Sequence, residues 1–226
     1  MNKIILSLMI LVSVVTIYSN TMASYVFDVA VGDKITMTSY NSLTDAGAFD
    51  LLNLDNGYKW NSFCLEKDQT LSQTFFIGSI TDYALPGGVA GRVGSFGDPI
   101  SDFTAWLYMS AETGTLFNYD GGNKDSYDLQ NLIWFNEKEI QSESKYYDPT
   151  SVTIWYSTFN ASGWKNDGIV QVLNMYKDIN FTKHAQDQLI MGIAVPEPTT
   201  FLLLGGGLLF FVYMGRQKLS STKDKN

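Results

Sequence analysis

This chain has almost no cysteine and almost no histidine: one of each, Cys64 and His184, in 226 residues. A single cysteine excludes an intramolecular disulfide and leaves either an intermolecular pairing or a reactive sulfur. A single histidine leaves a multi-histidine metal centre or a histidine-based triad almost nothing to stand on. His184 itself reads as an exposed residue near a polar turn. Basic side chains are also scarce, 15 Lys plus Arg against 23 Asp plus Glu, for a net charge of −8. That balance argues against nucleic acid or anionic lipid as a partner. Neither a Walker phosphate loop nor a Gly-x-Ser-x-Gly nucleophile motif occurs, so no enzyme activity, catalytic residue, cofactor or metal is expected. The one glycine-dense loop, Pro86–Gly97, reads as a mobile surface segment. The chain shows no internal repeat and no long low-complexity linker.

Long hydrophobic runs occur only at the two ends. Lys3 precedes the run Ile4–Ile17, and Thr21-Met22-Ala23 supplies small residues before a cut after Ala23. Residues 1–23 are therefore read as a secretory signal peptide, with an uncleaved signal anchor as the alternative. At the other end Pro196-Glu197-Pro198 is followed by the apolar run Thr199–Met214 and then by Arg216 and Lys218. The run is slightly short of the roughly 20 residues of an ordinary spanning helix. Arg216, Lys218, Lys223 and Lys225 would stay cytoplasmic by the positive-inside rule. Gly205-Gly206-Gly207 makes a poor helix interior in water but an acceptable one in lipid.

Motif, transmembrane helix and basic tail in this order closely resemble the PEP-CTERM sorting signal, which exosortases of Gram-negative bacteria read at the inner membrane. The resemblance implies export, transient membrane anchoring, cleavage near Pro196-Glu197-Pro198, and release to the cell surface or to an extracellular biofilm or exopolysaccharide matrix. A permanent C-terminal anchor is the alternative. The domain organisation is thus a signal peptide over 1–23, an exported domain over 24–195 and a sorting signal over 196–226. The exported piece is about the size of one ordinary domain and has eleven more acidic than basic side chains.

Within it, Tyr25–Val31 and Ile35–Tyr40 alternate and are rich in β-formers, which predicts two strands joined at Gly32-Asp33. Trp60–Leu65, Gln73–Ile80, Val152–Thr158, Ile169–Tyr176 and Gln188–Ile193 are strand-like as well. Ser101 opens a helix with Phe103, Trp106, Leu107 and Ser110 at helical spacing and Gly114 as its stop. Ser126 caps a second helix with Leu129, Leu132, Ile133 and Ile140 on its inner face. Strands on either side of a short helical insertion predict an α+β fold built on a β-rich sandwich or barrel.

Phe63-Cys64-Leu65-Glu66, Thr104-Ala105-Trp106-Leu107-Tyr108, the helix Leu129–Glu139, Val172-Leu173-Asn174-Met175-Tyr176 and Gln186-Asp187-Gln188-Leu189 together resemble a pattern recurrent in PEP-CTERM proteins. The cysteine and the Gln-x-x-Ile-Trp helix also resemble the thioester domains of bacterial surface adhesins. That resemblance implies that the Cys64 thiol displaces ammonia from the Gln130 side chain, with Trp134 one turn further on shielding the bond. Asn131-Leu132 departs from the small residue usual between Gln and Ile-Trp in that pattern, while Ile133-Trp134 stays in register. A lone cysteine suits such a bond, because a second thiol would attack it. The sequence identifies neither the base nor the oxyanion donors; Glu66, Tyr58 and Asp128 are the candidates. The plainer alternative is a packed Cys64, a helix-surface Gln130 and a core Trp134.

Other motifs carry less. Asp120, Asn123, Asp125 and Asp128 lie in a glycine-containing loop of calcium-ligand composition, without EF-hand spacing; a solvated turn is the simpler reading. Asn160-Ala161-Ser162 and Asn180-Phe181-Thr182 fit the glycosylation acceptor pattern. Two functions follow. One is a surface or matrix protein that bonds covalently to a polysaccharide hydroxyl or a surface-protein amine. The other is a non-covalent, polysaccharide-binding matrix protein displaying Trp60, Trp155, Tyr156 and Trp164.

Overall fold

The computed structural model describes residues 24–43, 46–67, 73–85, 97–140, 146–195 and 205. The chain divides into a compact unit over 25–193 and a second unit made of 1–24 and 194–226. The second lies almost wholly outside the described residues, as do the signal peptide, Pro196-Glu197-Pro198 and all of the glycine-dense loop but Gly97. Among the described residues, no helix is long and apolar enough to cross a membrane.

The strands are β1 (Ser24–Val26), β2 (Lys34–Leu43), β3 (Ala46–Asn53), β4 (Lys59–Ser62), β5 (Thr74–Thr81), β6 (Tyr83–Ala84), β7 (Asp98–Pro99), β8 (Val170–Tyr176), β9 (Gln188–Met191) and β10 (Ile193–Val195). Among the described residues three helices, α1 (Asp102–Glu112), α2 (Asn123–Asn136) and α3 (Pro149–Ser162), lie between β7 and β8. This is an α+β fold dominated by a six-stranded sheet of order β4-β3-β2-β5-β8-β9, antiparallel at every pairing.

The two edge strands of that sheet meet. Cys64, just past β4, forms an antiparallel bridge with Gln188 of β9. Leu189 N–H donates to the Phe63 carbonyl and Leu65 N–H to the Asp187 carbonyl, both at 3.2 Å. The Ser62 hydroxyl donates to the Leu189 carbonyl at 2.7 Å. The sheet therefore closes on itself in the manner of a barrel, and closure spares both edges from offering unpaired backbone groups. Among the described residues the remaining sheets have two strands each.

Side chains alternate across the closing segment as the pleat requires. Phe63 and Leu65 join a cluster with Phe103, Trp106, Leu129, Leu132, Ile133 and Trp155 under the helices. Cys64 points the other way, into a cluster with Trp60, Phe75, Ile77, Leu173, Met175 and Trp134. Helix α2 thus contributes to both cores.

Several local expectations change. The strand expected over Val152–Thr158 is part of α3. Asp148 accepts from the Thr150 and Ser151 N–H groups as the N-cap and Pro149 occupies the first turn, where a missing N–H costs nothing. Val152, Trp155, Tyr156 and Phe159 then recur at helical spacing against Phe103 and Trp106. The helical region is accordingly larger than a short insertion. The expected hairpin about Gly32-Asp33 does not form: β2 pairs with β3, a strand the alternation did not reveal, and with β5. Helix α2 begins at Asn123 after Gly122, so Ser126 is a buried interior residue and not the cap, and Ile140 lies past the helix end. Helix α1 forms as expected, with the Ser101 hydroxyl accepting from Thr104 N–H and Gly114 at φ +67° just beyond its end.

Candidate functional site

Closure of the sheet sets Cys64 against α2. The Gln130 amide, fully buried, clamps the Cys64 backbone at two points. Cys64 N–H donates to Gln130 Oε1 at 2.9 Å. Gln130 Nε2 donates to the Cys64 carbonyl at 2.8 Å. The two residues are 66 positions apart in the chain, and this pairing satisfies a buried backbone donor and acceptor together. An N–H aimed at an amide oxygen also polarises that carbonyl, as an oxyanion donor does.

The thiol has a second neighbour. Gln188 Nε2 donates to Cys64 Sγ at 3.2 Å, while Gln188 Oε1 is buried without a hydrogen-bond partner. Cys64 is 1 % exposed, and burial pushes its thiol well above its ordinary pKa, only partly countered by the Gln188 hydrogen bond. The sulfur is therefore a neutral thiol in the folded ground state, not a thiolate. Trp134 lies one turn beyond Gln130 and is buried in the same apolar cluster as Cys64, its Nε1 without a partner. The structure thus brings Cys64 and Gln130 together and encloses Trp134 in the same region.

Of the candidate bases, Asp128 accepts from the Tyr147 and Asp148 N–H groups at 2.8 Å and so anchors the entry to α3. Tyr58 stacks on Trp60 at 5.5 Å, in a cleft of about 400 Å³ that also includes Asp50 and Glu112. Glu66 is buried two residues from Cys64, and its pKa is pushed up by burial first and then by the Asp187 charge. Glu66 belongs to a group that sequence reasoning did not find. His184 is not an exposed loop residue: its side chain is 20 % exposed and its Nε2 sits 3.0 Å from Asp187 Oδ1. The bridge between Tyr176 and His184 and the edge-on Tyr176 ring hold it there. The recurrence of carboxylates around Cys64 and one histidine was present in the chain, but no spacing rule joins residue 66 to 184.

The aspartate loop behaves as a turn. Asp120 Oδ1 accepts from Gly122 N–H and Asp125 Oδ2 from Asp120 N–H, so these carboxylates are engaged by backbone. The aromatic residues expected to face a glycan are mostly core: Trp60 and Trp155 are buried, and Trp155 Nε1 donates to the Phe117 carbonyl. Tyr156 and Trp164 are half-buried against the helical cluster.

Residues 194–218 match the family model of the PEP-CTERM protein-sorting motif. The match covers the Pro196-Glu197-Pro198 triplet, the apolar run and the first basic residues. It supports an exported protein that meets exosortase at the membrane and is sorted to the cell surface. No curated protein and no solved structure matches the chain.

Proposed function

We propose that the exported domain is a covalent attachment module of the cell surface or extracellular matrix, armed by a thioester between Cys64 and Gln130. The observation that carries this reading is the two-point clamp of the Gln130 amide on the Cys64 backbone inside a dry core. In the arming step the thiol sulfur bonds to the Gln130 amide carbon, and ammonia leaves carrying the thiol proton. The Cys64 N–H is placed to take up charge on the amide oxygen as the carbon becomes tetrahedral. Fixing the cysteine backbone against the amide supplies orientation that a free thiol and amide lack. Trp134 and the surrounding apolar cluster exclude water, which would otherwise hydrolyse the product. A partner amine or polysaccharide hydroxyl then bonds to the acyl carbon and returns the proton and the electron pair to Cys64. Each chain reacts once, so this is bonding and not turnover.

The test is an intact mass of the full chain purified in detergent without reductant. A thioester predicts a deficit of about 17 Da for the lost ammonia, and methylamine then adds to Gln130 and frees the thiol. An unmodified mass with a titratable thiol would leave the second reading, a non-covalent polysaccharide-binding matrix protein. The cleft beside the Tyr58–Trp60 stack is the feature that favours that reading.

A further inference from the structure

Beside the thiol, at the same closure, three side chains converge. Glu66 comes from the segment after β4, and His184 and Asp187 come from the connection between β8 and β9. One ligand atom from each lies within 4.8 Å of the others. Asp187 is fully buried and fixed: its Oδ2 accepts from Leu85 N–H at 2.9 Å and its Oδ1 from Met175 N–H at 3.0 Å. Glu66 is 4 % exposed, the Gln186 side chain donates to its backbone carbonyl, and its carboxylate Oε2 is buried with no hydrogen-bond partner. His184 Nδ1 likewise has no partner, while Nε2 lies 3.0 Å from Asp187 Oδ1. A buried carboxylate oxygen without a donor costs several kcal/mol unless it is protonated or meets a cation.

The geometry points to a divalent transition-metal site, Zn²⁺ first, held by Glu66, His184 and Asp187. One imidazole and two carboxylates are a donor set for Zn²⁺ and its first-row neighbours, whereas Ca²⁺ and Mg²⁺ prefer oxygen alone. Metal–ligand bonds of about 2.1 Å require only a small inward movement of the three groups. Three protein ligands leave a further position, which the partly exposed edge of His184 opens to solvent. An ion there ties the segment after β4 to the start of β9, so it locks the barrel where Cys64 sits. This site is independent of the thioester reading, since it uses neither Cys64 nor Gln130.

The experiment is equilibrium dialysis and calorimetry of the detergent-solubilised full chain with ZnCl₂, repeated with CoCl₂ for its visible ligand-field bands. One ion per chain is expected, with affinity lowered at least about tenfold by Glu66→Gln and by His184→Ala and unchanged by Cys64→Ser. Loss of the ion in Cys64→Ser would mean that the thiol is the ligand and would overturn the assignment. So would no stoichiometric ion in the wild type, or an ion unaffected by both ligand substitutions. Circular dichroism of each variant separates a lost ligand from a lost fold, and partly exposed His184→Ala carries the test if Glu66→Gln does not fold.

Discussion

Glu137 and Glu66 are enclosed carboxylates in two neighbouring regions, and they are treated in opposite ways. Glu137 accepts from Ser101 N–H at 3.2 Å, from the Ser101 hydroxyl at 2.8 Å, from the Thr104 hydroxyl and from Asn136 Nδ2. It joins the end of α2 to the start of α1 and is finished by the chain's own donors. Glu66 has an oxygen with none, next to Gln188 Oε1 and His184 Nδ1, which also lack partners. A native fold leaves few buried polar atoms unpaired, so their concentration on one side of Cys64 marks that side as the place where chemistry is left to be completed. The junction of α1 and α2 at Glu137 is scaffold.

The strongest break of this comparison is chemical. Cys64→Ala and Gln130→Ala should each abolish the mass deficit and the methylamine adduct completely. Gln188→Ala should keep both but form the thioester about tenfold more slowly, as loss of one hydrogen bond to sulfur worth about 1.4 kcal/mol implies. A deficit that vanishes with Gln188 and survives without Gln130 would exchange their roles. Next in size is Glu137→Ala, which strands the Ser101, Thr104 and Asn136 donors. It should cost about 2–4 kcal/mol in urea unfolding, with Glu137→Gln milder.

A pH series comes third. Burial raises the Glu112 pKa from 4.5 to about 7. The folded chain thus holds this proton to higher pH than the unfolded one. Stability should fall as pH rises from about 4.5 to about 7 and level off above, by about 2 kcal/mol after allowance for partial exposure. Glu112→Gln should flatten that part of the curve in pH-dependent urea melts. The smallest effect should be Glu66→Gln in metal-free protein, within about 1 kcal/mol of the wild type, because Gln keeps the shape of a carboxyl whose charged form burial already disfavours. A loss as large as that of Glu137→Ala would erase the contrast between the two regions.

Helix α1 was legible because its signals are local: a Ser101 cap, apolar spacing of three and four, and Gly114 beyond the end. Helix α3 was obscured by its composition, since Val152, Thr153, Ile154 and Trp155 favour strands when taken singly. The deciding signals were Asp148-Pro149 and the spacing of Trp155 and Phe159. Strand β3 was missed because Ala46–Asn53 has glycine and little alternation, and its place is set by pairing with β2 and β4. At the site, the Cys64–Gln130 pairing was accessible only through resemblance, because no local rule joins a strand to a helix 66 residues away. The Cys64 N–H on Oε1, the Gln188 contact and the Glu66–His184–Asp187 group depend on closure of the sheet, which leaves no mark in any single segment.

That closure also sets a clock. Cys64 and Gln188 are 124 positions apart, and contacts of such long range are among the last that a folding chain can afford. Until β4 meets β9 the sulfur is not enclosed, and the Gln186 and Gln188 side chains have nothing to grip. The dry pocket around the thiol therefore comes into existence only when the domain is complete. Under the proposed thioester function, a chain still being threaded across a membrane carries no reactive bond, and only the folded domain does.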